Sequence, residues 1–265
     1  MRIVFSEHHS DYQNYIFPYV IWGFPDEGET AAKMFAHGFL PASRDMDRFY
    51  LCRHVRVNLE NFQASSENRR ILRKGQGISV ELVPRGSFDY TRQRRTAYKN
   101  YADIKFGKDV MTFKRLDSLF GSKMITHCLV FTDESKRCEV GTVTLYLEPG
   151  KLAFYYYAFY DLNYYARNLG MYMMTSTVQF FSEANYKHVY LGSCYNKNAL
   201  YKTQFSGAEF FNGFGWSGDI RELKYLIKRD HPGVEQHLLE TPEYCKRFYE
   251  DDPAKFKAST PFIIK

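Results

Sequence analysis

The stretch 152–191, LAFYYYAFYDLNYYARNLGMYMMTSTVQFFSEANYKHVYL, decides the fold. Its first part, Leu152 to Tyr160, is aromatic and apolar, a composition typical of a β-strand. A loop is expected over Asp161 to Asn168. From about Leu169 to Asn185 the apolar residues recur with the 3.6-residue period of a helix, and His188 to Leu191 again favours a strand. The stretch therefore predicts strand, loop, helix and strand, in that order.

Two further strands are expected just before this stretch. Cys128 to Thr132 and Val140 to Leu147 are β-rich runs, and Glu148-Pro149-Gly150-Lys151 is a tight-turn sequence that joins the second run to Leu152. The three strands predict an antiparallel meander. A meander followed by strand, loop, helix and strand resembles the core of the GNAT fold, in which the helix N-terminus faces the substrate. We expect an α+β protein with a GNAT-like mixed sheet and flanking helices.

The first half of the chain has a less regular pattern. It predicts a helix over Thr30 to His37, a strand over Phe49 to Leu59 with a break at Arg53, a helical segment over Asn61 to Lys74, a strand over Ile78 to Val83 and a helix over Asp89 to Phe106. We expect a basic N-terminal region, 1–95, packed on a C-terminal GNAT-like acyltransferase domain, 96–230. A C-terminal extension, 231–265, follows.

The positive charge of the chain is concentrated. The net charge is +6, but between Arg53 and Arg115 there are 15 Lys and Arg residues against 6 Asp and Glu residues. Clustered cations neutralise phosphates and release counterions, so this half favours a polyanionic partner such as RNA. A solvated basic face without a partner is the alternative that charge alone leaves open.

The cysteines and the N-terminal sequence indicate the cellular compartment that we expect for the protein. The five cysteines are widely spaced, odd in number and without a CxxC pair, so neither a disulfide framework nor a zinc site is predicted. No export signal and no run of 18 apolar residues is found. We expect a cytoplasmic protein with reduced thiols and no membrane partner.

Several blocks resemble one known family. Asn168-Leu169-Gly170-Met171-Tyr172 is similar to the family's R-S-L-G-T-Y, Val189-Tyr190-Leu191-Gly192 to its Y-Y-L-G, and Tyr201-Lys202-Thr203-Gln204-Phe205 with Glu209 to its Y-K-x-x-F-x-P-x-E. Upstream, the segment from Cys52 to Arg70 matches C-x-x-x-R-V-x-V-x-x-F, P-S and Q-R-R without a gap. The family is that of the arginyl-tRNA-protein transferases and the bacterial aspartate/glutamate leucyltransferases. The resemblance covers roughly residues 15 to 225.

The chain departs from the family pattern at four places. The family's cysteine pair before Cys52 is absent from Ser43 to Leu51, so no metal or iron-sulfur role is transferred. Asn198-Ala199 replaces Lys-Met, Gly207 replaces the Pro of F-x-P, and Lys105-Phe106 stands where the family has Arg-His. No cofactor is expected, because the aminoacyl-tRNA is itself a co-substrate.

The resemblance implies an aminoacyl-tRNA-protein transferase. Such an enzyme moves an amino acid, here Arg or Leu, from charged tRNA to the N-terminal α-amine of an acceptor protein and so tags an N-degron, as in protein arginylation. The partners would be aminoacyl-tRNA and acceptor N-termini, and we expect a monomer. Since the ester is already activated, positioning and oxyanion stabilisation are the enzyme's main contributions.

The same resemblance implies the site residues. The expected catalytic residues are Leu169, Gly170, Tyr201, Lys202 and Glu209. The turn at Leu169 and Gly170 would offer backbone N–H groups to a phosphate or an oxyanion. Lys202 would meet an acidic acceptor or a tRNA phosphate, and Glu209 would accept an α-ammonium group or act as a weak base. The expected tRNA-binding residues are Arg69, Arg70, Arg73, Lys74, Arg92 and Arg95.

Two other functions remain open at this point. One is an acyl-CoA-dependent GNAT N-acetyltransferase, although 166–171 supplies a single Gly where a pyrophosphate cradle needs several N–H groups. The other is a non-catalytic RNA-binding or peptide-binding relative. Cys52 and Cys194 are potential nucleophiles, but we expect both to be buried structural thiols.

Overall fold

The computed structural model describes residues 1–13, 16, 18–231 and 233–262, apart from the side chains of Tyr165 and Arg167. The chain divides into two units. Unit 1 comprises Met1–Arg56, Gly192–Gln204 and Ala208–Lys265, and unit 2 comprises Val57–Leu191 and Phe205–Gly207. Both units are therefore assembled from separate segments of the sequence. The expected division at residues 95 and 230 concerns family regions and stays a prediction.

The described strands and helices follow in chain order. The strands are β1 (Arg2–Glu7), β2 (Tyr19–Phe24), β3 (Phe39–Pro41), β4 (Phe49–Leu51), β5 (His54–Asn58), β6 (Ile78–Pro84), β7 (His127–Asp133), β8 (Cys138–Glu148), β9 (Leu152–Tyr160), β10 (His188–Ser193), β11 (Ala208–Phe211) and β12 (Trp216–Ser217). The helices are α1 (Ala31–Ala36), α2 (Ser66–Lys74), α3 (Arg92–Phe106), α4 (Phe113–Phe120), α5 (Leu169–Glu183), α6 (Ile220–Asp230), α7 (Pro242–Tyr249) and α8 (Pro253–Ser259).

Unit 2 contains a mixed sheet in which neighbouring strands follow the order β10-β9-β8-β7-β6. Strands β6 to β9 pair antiparallel, with Glu148 opposite Leu152 at the tight turn. Strand β10 runs parallel to β9, with His188 opposite Leu152 and Tyr190 opposite Phe154. A parallel neighbour requires a crossover connection, and α5 supplies it. The expected α+β fold with a mixed sheet and flanking helices is confirmed.

Helix α5 is the crossover that the apolar periodicity predicts. Most of its length is buried, from Leu169 to Phe181, which is why the sequence carries few charges there. The residue before it, Asn168, has φ 55° and ψ 40° in the left-handed region, a conformation that Asn adopts more easily than most residues. The chain thus turns sharply from the loop into the helix at the family-like block.

Helices α3 and α4 pack against the mixed sheet of unit 2. The Thr91 hydroxyl accepts a hydrogen bond from the Arg94 N–H at the start of α3, and Thr112 caps α4 in the same way through Arg115. The core beneath them is aromatic and is formed by Phe88, Tyr98, Tyr101, Phe120 and Phe159, among others. Burial of this surface fixes the face of α3 that contains Tyr98 and Tyr101 against β9.

Unit 1 contains a small antiparallel sheet with the order β1-β2-β4-β3. Its C-terminal helices share a buried polar network around Glu222, which is 2% exposed. The Tyr244 hydroxyl donates to Glu222 Oε1, and the Asn212 amide donates to the same oxygen at 3.0 Å. This network ties the last part of the chain to β11.

Two expected elements differ in the structure. The helical segment expected from Asn61 begins only at Ser66, because Ser65 and Asn68 form a capping box there. The strand expected over 49–59 is divided into β4 and β5, with the break at the expected Arg53. Among the described residues, no helix combines the length and the apolar run needed to cross a lipid bilayer.

Candidate active site

The first turn of α5 carries two of the expected catalytic residues. Leu169 is 1% exposed, so its side chain is part of the core and only its backbone is available for chemistry. Gly170 lies against the Tyr160 ring: a Cβ built on Gly170 would stand 2.8 Å from the Tyr160 hydroxyl oxygen. Only glycine allows this approach without a shift. The ring of Tyr160 is therefore held against the N-terminus of α5.

A cavity of about 490 Å³ opens on the other side of Tyr160. It lies between α3 and the adjoining ends of β8 and β9. Its lining consists of Ala97, Tyr98, Asn100, Tyr101, Ile104, Glu139, Val140, Gly141, Phe159, Tyr160, Asp161, Leu162 and Asn163. This volume suits an amino-acid side chain or a small acyl group. The rings of Tyr101 and Tyr160 lie 4.7 Å apart and connect the cavity to the first turn of α5.

A hydrogen-bonded carboxylate forms part of the cavity wall. Glu139 Oε2 accepts from Arg94 Nε at 2.7 Å, and Glu139 Oε1 lies 3.0 Å from the Tyr98 hydroxyl oxygen. The Thr142 hydroxyl donates to the same carboxylate. Desolvation and the neighbouring Glu139 charge raise the pKa of Tyr98, which keeps the phenol protonated as a donor. Glu139 is therefore held rigidly by its own partners.

Asp161 is the second carboxylate of the cavity, and it is exposed. Its backbone N–H donates to the Val140 carbonyl at 2.9 Å, and its Oδ1 accepts from the Asn163 N–H at 2.9 Å. Within the described residues it forms no ion pair. The charged lining residues are Glu139 and Asp161, and because Arg94 pairs with Glu139, the acidic charge of the wall comes from Asp161.

Tyr201 and Lys202 lie in unit 1. Tyr201 is 46% exposed, whereas the Lys202 ammonium group donates to the Ser193 carbonyl at 2.8 Å. Desolvation lowers the pKa of Lys202, and the nearby thiols of Cys194 and Cys52 oppose that shift. Lys202 is thus a partly desolvated amine rather than a fully hydrated surface cation.

Cys52 and His54 are two positions apart in the sequence, and their side chains lie next to each other in unit 1. Cys52 Sγ lies 3.7 Å from His54 Nδ1. Burial raises the pKa of the Cys52 thiol to about 12 and lowers the pKa of His54 to about 3. Since neither group is charged at neutral pH, the pair is not a thiolate-imidazolium nucleophile. This favours the expected structural role for Cys52.

Glu209 already has a partner in unit 1. Arg56 Nε donates to Glu209 Oε2 at 2.7 Å, and the Arg56 guanidinium stacks 3.8 Å from the centre of the Trp216 ring. The Arg56 side chain is 12% exposed and that of Glu209 is 25% exposed. An α-ammonium group at Glu209 would therefore have to share its carboxylate with Arg56.

The motif departure at Gly207 has a physical reason. Gly207 has φ +74°. Its backbone lies so close to residues 58–61 that a Cβ built on Gly207 would stand 2.4 Å from the Asn58 carbonyl oxygen. The Gly207 carbonyl accepts from the Asn58 N–H at 2.8 Å. Proline fixes φ near −65°, so the family's Pro cannot occupy this backbone conformation.

The residues expected to bind tRNA lie in unit 2 on two helices. On α2, Arg70 forms two hydrogen bonds with Glu67 and Arg69 donates to the Ala64 carbonyl, whereas Arg73 is exposed and Lys74 is half-buried. On α3, Arg95 forms a bidentate pair with Asp117 at 2.6 and 2.7 Å. Arg92 is exposed and makes no ion pair in the described part of the chain.

The expected catalytic residues are divided between the units. Leu169 and Gly170 belong to unit 2, and Tyr201, Lys202 and Glu209 to unit 1. Sequence reasoning missed Tyr160, Asp161, Tyr101 and Glu139. Of these four residues, Asp161 could have been identified most easily from the sequence. It is a lone carboxylate that stands directly after an aromatic strand and before the turn into α5.

The comparisons with known proteins agree with the expected family. No protein-family model matches the chain. An aspartate/glutamate leucyltransferase from Saccharophagus degradans is 26% identical over 171 residues, which cover 62% of this chain and 70% of the relative.

Solved structures show more distant likeness. The C-terminal domain of a putative lysylphosphatidylglycerol synthetase from Agrobacterium fabrum has a TM-score of 0.45 and 15% identity, over 57% of this chain and 49% of that one. A GCN5-related N-acetyltransferase from Sphaerobacter thermophilus has a TM-score of 0.37 and 14% identity, over 71% of this chain and 57% of that one. The chain thus spans about half the length of these two proteins. The resemblance expected from the motifs is confirmed by the leucyltransferase match, since the chain is similar to that relative over 171 residues.

Proposed function

We propose that the protein transfers an aminoacyl group from charged tRNA to the N-terminal α-amine of an acceptor protein, as in N-degron tagging. The observation that carries the proposal is the cavity of about 490 Å³ that shares Tyr160 with the first turn of α5. An amino-acid-sized pocket beside a helix N-terminus suits an aminoacyl ester, with the side chain in the pocket and the carbonyl at the backbone N–H groups.

The reaction needs little from the protein beyond positioning. The acceptor amine attacks the ester carbonyl, a C–N bond forms, the C–O bond to the ribose breaks, and the tRNA hydroxyl leaves with the proton. The pKa of a free α-amine is near 8, so about a tenth is neutral at pH 7. In this proposal the backbone N–H groups of Leu169 and Gly170 stabilise the oxyanion, and Asp161 holds an ammonium group.

The cavity wall favours Arg over Leu as the transferred amino acid. Glu139 is already paired with Arg94, so Asp161 is the lining carboxylate that forms no ion pair among the described residues, and the rings of Tyr101 and Tyr160 offer π faces. A guanidinium group gains from both features, whereas a leucyl side chain gains only from burial. Protein arginylation is therefore the form of the reaction that we propose.

The residues of unit 1 have proposed roles on the acceptor side. Lys202 would pair with an acidic acceptor side chain, and its lowered pKa makes it sensitive to such a partner. Tyr201, which is exposed, would contact the acceptor peptide, and the Arg56–Glu209 pair would orient it. We further propose that the enzyme acts in the cytoplasm as a monomer and without a cofactor other than the aminoacyl-tRNA.

A transfer assay tests the proposal. The protein is incubated with labelled Arg-tRNA or Leu-tRNA and peptides that begin with Asp, Glu, Arg or Lys, and acetyl-CoA replaces the tRNA in a parallel reaction. We expect label in a peptide from Arg-tRNA and little from Leu-tRNA. Transfer from acetyl-CoA alone would favour the acetyltransferase, and tRNA binding without transfer would favour a non-catalytic relative.

A further inference from the structure

The connection between α3 and α4 exposes large apolar side chains. Ile104 is 70% exposed, Phe106 41%, Val110 46% and Phe113 38%. These four residues, with Lys105, Lys108 and Lys114, are here called the α3–α4 surface. Single exposed apolar residues are ordinary, but four within ten positions indicate a contact site.

The connection is held in place, so the exposure is a feature of the fold. Met111 is 1% exposed and Leu116 is fully buried, and both belong to the aromatic core beneath α3. The Arg115 guanidinium donates to the Val110 carbonyl at 2.9 Å, and the Arg115 N–H donates to the Thr112 hydroxyl. Since Met111 anchors the segment inward, the neighbouring apolar residues are kept outward.

Cations surround these apolar residues. The segment 92–115 contains eight Lys and Arg residues and two Asp residues. Its net charge of +6 equals that of the whole chain, although Arg94, Arg95 and Lys99 already form ion pairs with Glu139, Asp117 and Asp103. Lys108 and Lys114 are exposed and have no ion pair within the described residues. The Arg95 guanidinium lies 4.2 Å from the centre of the Phe113 ring, so a cationic plane is stacked on an exposed aromatic ring.

Exposed rings interleaved with cations are the features that bind single-stranded nucleic acid. Bases stack on aromatic faces and on guanidinium planes, while lysines contact the phosphates. Ile104 is also a lining residue of the cavity, so this surface adjoins the pocket through a single side chain. A strand that ran along the surface would therefore bring its end to the cavity mouth.

We infer that the α3–α4 surface binds the single-stranded 3′ end of an RNA, with Phe106 stacking on a base and Lys105, Lys108 and Lys114 contacting phosphates. This inference rests on the proposed function for its reason, since an aminoacyl ester sits on such an end. It differs from the expectation drawn from the sequence, because it assigns RNA binding to Phe106, Lys105, Lys108 and Lys114, which are not among the expected tRNA-binding residues.

Binding of a labelled RNA tetranucleotide, ACCA, tests the inference by fluorescence anisotropy. For the whole protein we expect Phe106→Ala to weaken the Kd about tenfold, the effect of one lost stacked base. Phe106→Leu keeps an apolar side chain without a π face and should weaken binding similarly while the near-ultraviolet circular dichroism is retained. Phe5→Ala is the matched control, because Phe5 is 61% exposed in unit 1.

The lysines are tested by salt dependence. Replacing Lys105, Lys108 and Lys114 by Gln should reduce the slope of log Kd against log salt by about 2, since each contact to a single strand contributes about 0.7. Equal binding by the wild type, Phe106→Leu and the triple variant would overturn the inference.

Anionic vesicles of phosphatidylglycerol provide the competing partner. Sedimentation of the protein with these vesicles, unaffected by excess ACCA and lost in Phe106→Ala, would overturn the inference in favour of a lipid surface. Because ACCA carries no amino acid, its binding can be present when aminoacyl transfer fails, so the two proposals fail separately.

Discussion

At the scale of single residues, Asp161 is the group whose charge matters most to the proposed cavity. It is exposed, its backbone is fixed by Val140, and no described cation neutralises it. Asp161→Asn keeps the shape and the Oδ1 contact with the Asn163 N–H but removes the charge. We expect kcat/KM for Arg-tRNA to fall about tenfold to a hundredfold, the effect of one lost charge-assisted hydrogen bond.

The control for Asp161 lies in the same unit. Glu134→Gln neutralises an exposed carboxylate in the turn between β7 and β8, outside the cavity lining. Thermal melting should be unchanged in both variants, so a difference in transfer reports the cavity. Equal activities of the two variants would remove Asp161 from the proposed site.

His54 is a buried imidazole that is uncharged in the folded protein at neutral pH. Burial lowers its pKa to about 3, and it lies 5.0 Å from the Trp216 ring. As the pH falls below about 6.5, the unfolded chain binds a proton that the folded chain does not, so stability falls until the pH reaches about 3. We expect a loss of about 2 kcal/mol between pH 6.5 and 5 from this residue.

Urea unfolding followed by tryptophan fluorescence measures that loss. Both tryptophans, Trp22 and Trp216, belong to unit 1, so the signal reports the unit that contains His54. His54→Phe should show a shallower decline over the same pH range, because all other histidines are retained. Parallel declines in both proteins would mean that folding does not lower the pKa of His54.

At the scale of elements, the first turn of α5 is where sequence and structure agree most closely. Its start at Leu169, the strand before it and the strand after it were all predicted, because local periodicity and turn residues determine them. The parallel pairing of β10 with β9 was not predicted. The cavity could not be predicted, since it requires Tyr101 on α3 to meet Tyr160, some 60 positions later. Helix α4, Phe113–Phe120, was missed, although Thr112 stands at its N-cap and Gly121 at its C-cap.

Gly170→Ala tests the contact between α5 and Tyr160. The new Cβ would stand 2.8 Å from the Tyr160 hydroxyl and 2.9 Å from Cζ, so the ring must move toward the cavity. Alanine otherwise favours a helix by up to about 1 kcal/mol over glycine, so the variant should fold. We expect transfer to fall at least about tenfold, from the displaced ring and the altered N–H geometry.

Gly86→Ala is the matched control for that change. A Cβ on Gly86 meets nothing within 4 Å, and its backbone is not left-handed. Both variants are compared by transfer rate and by thermal melting. Full activity in Gly170→Ala would show that the ring position and the first turn of α5 are not used in catalysis.

At the scale of the whole molecule, an entire tRNA should contact more of the exposed cations than a short RNA end can. A tetranucleotide can reach only part of unit 2, whereas a tRNA can also contact exposed cations elsewhere in that unit. Arg73 on α2 and Arg92 on α3 are exposed and lack ion pairs in the described structure. Arg92 is 14 positions from Phe106, which corresponds to about 20 Å along α3.

These two arginines should therefore affect tRNA and ACCA differently. For Arg73→Gln and Arg92→Gln we expect the salt slope of tRNA binding to decrease by about 0.9 each, with the Kd for ACCA within twofold of wild type. Arg70→Gln should change the slope less, because its guanidinium already pairs with Glu67. If Arg70→Gln instead reduced the slope as much as Arg73→Gln, the Arg70–Glu67 pair would have to open when tRNA binds. An unchanged tRNA slope in all three variants would confine the RNA contact to the α3–α4 surface.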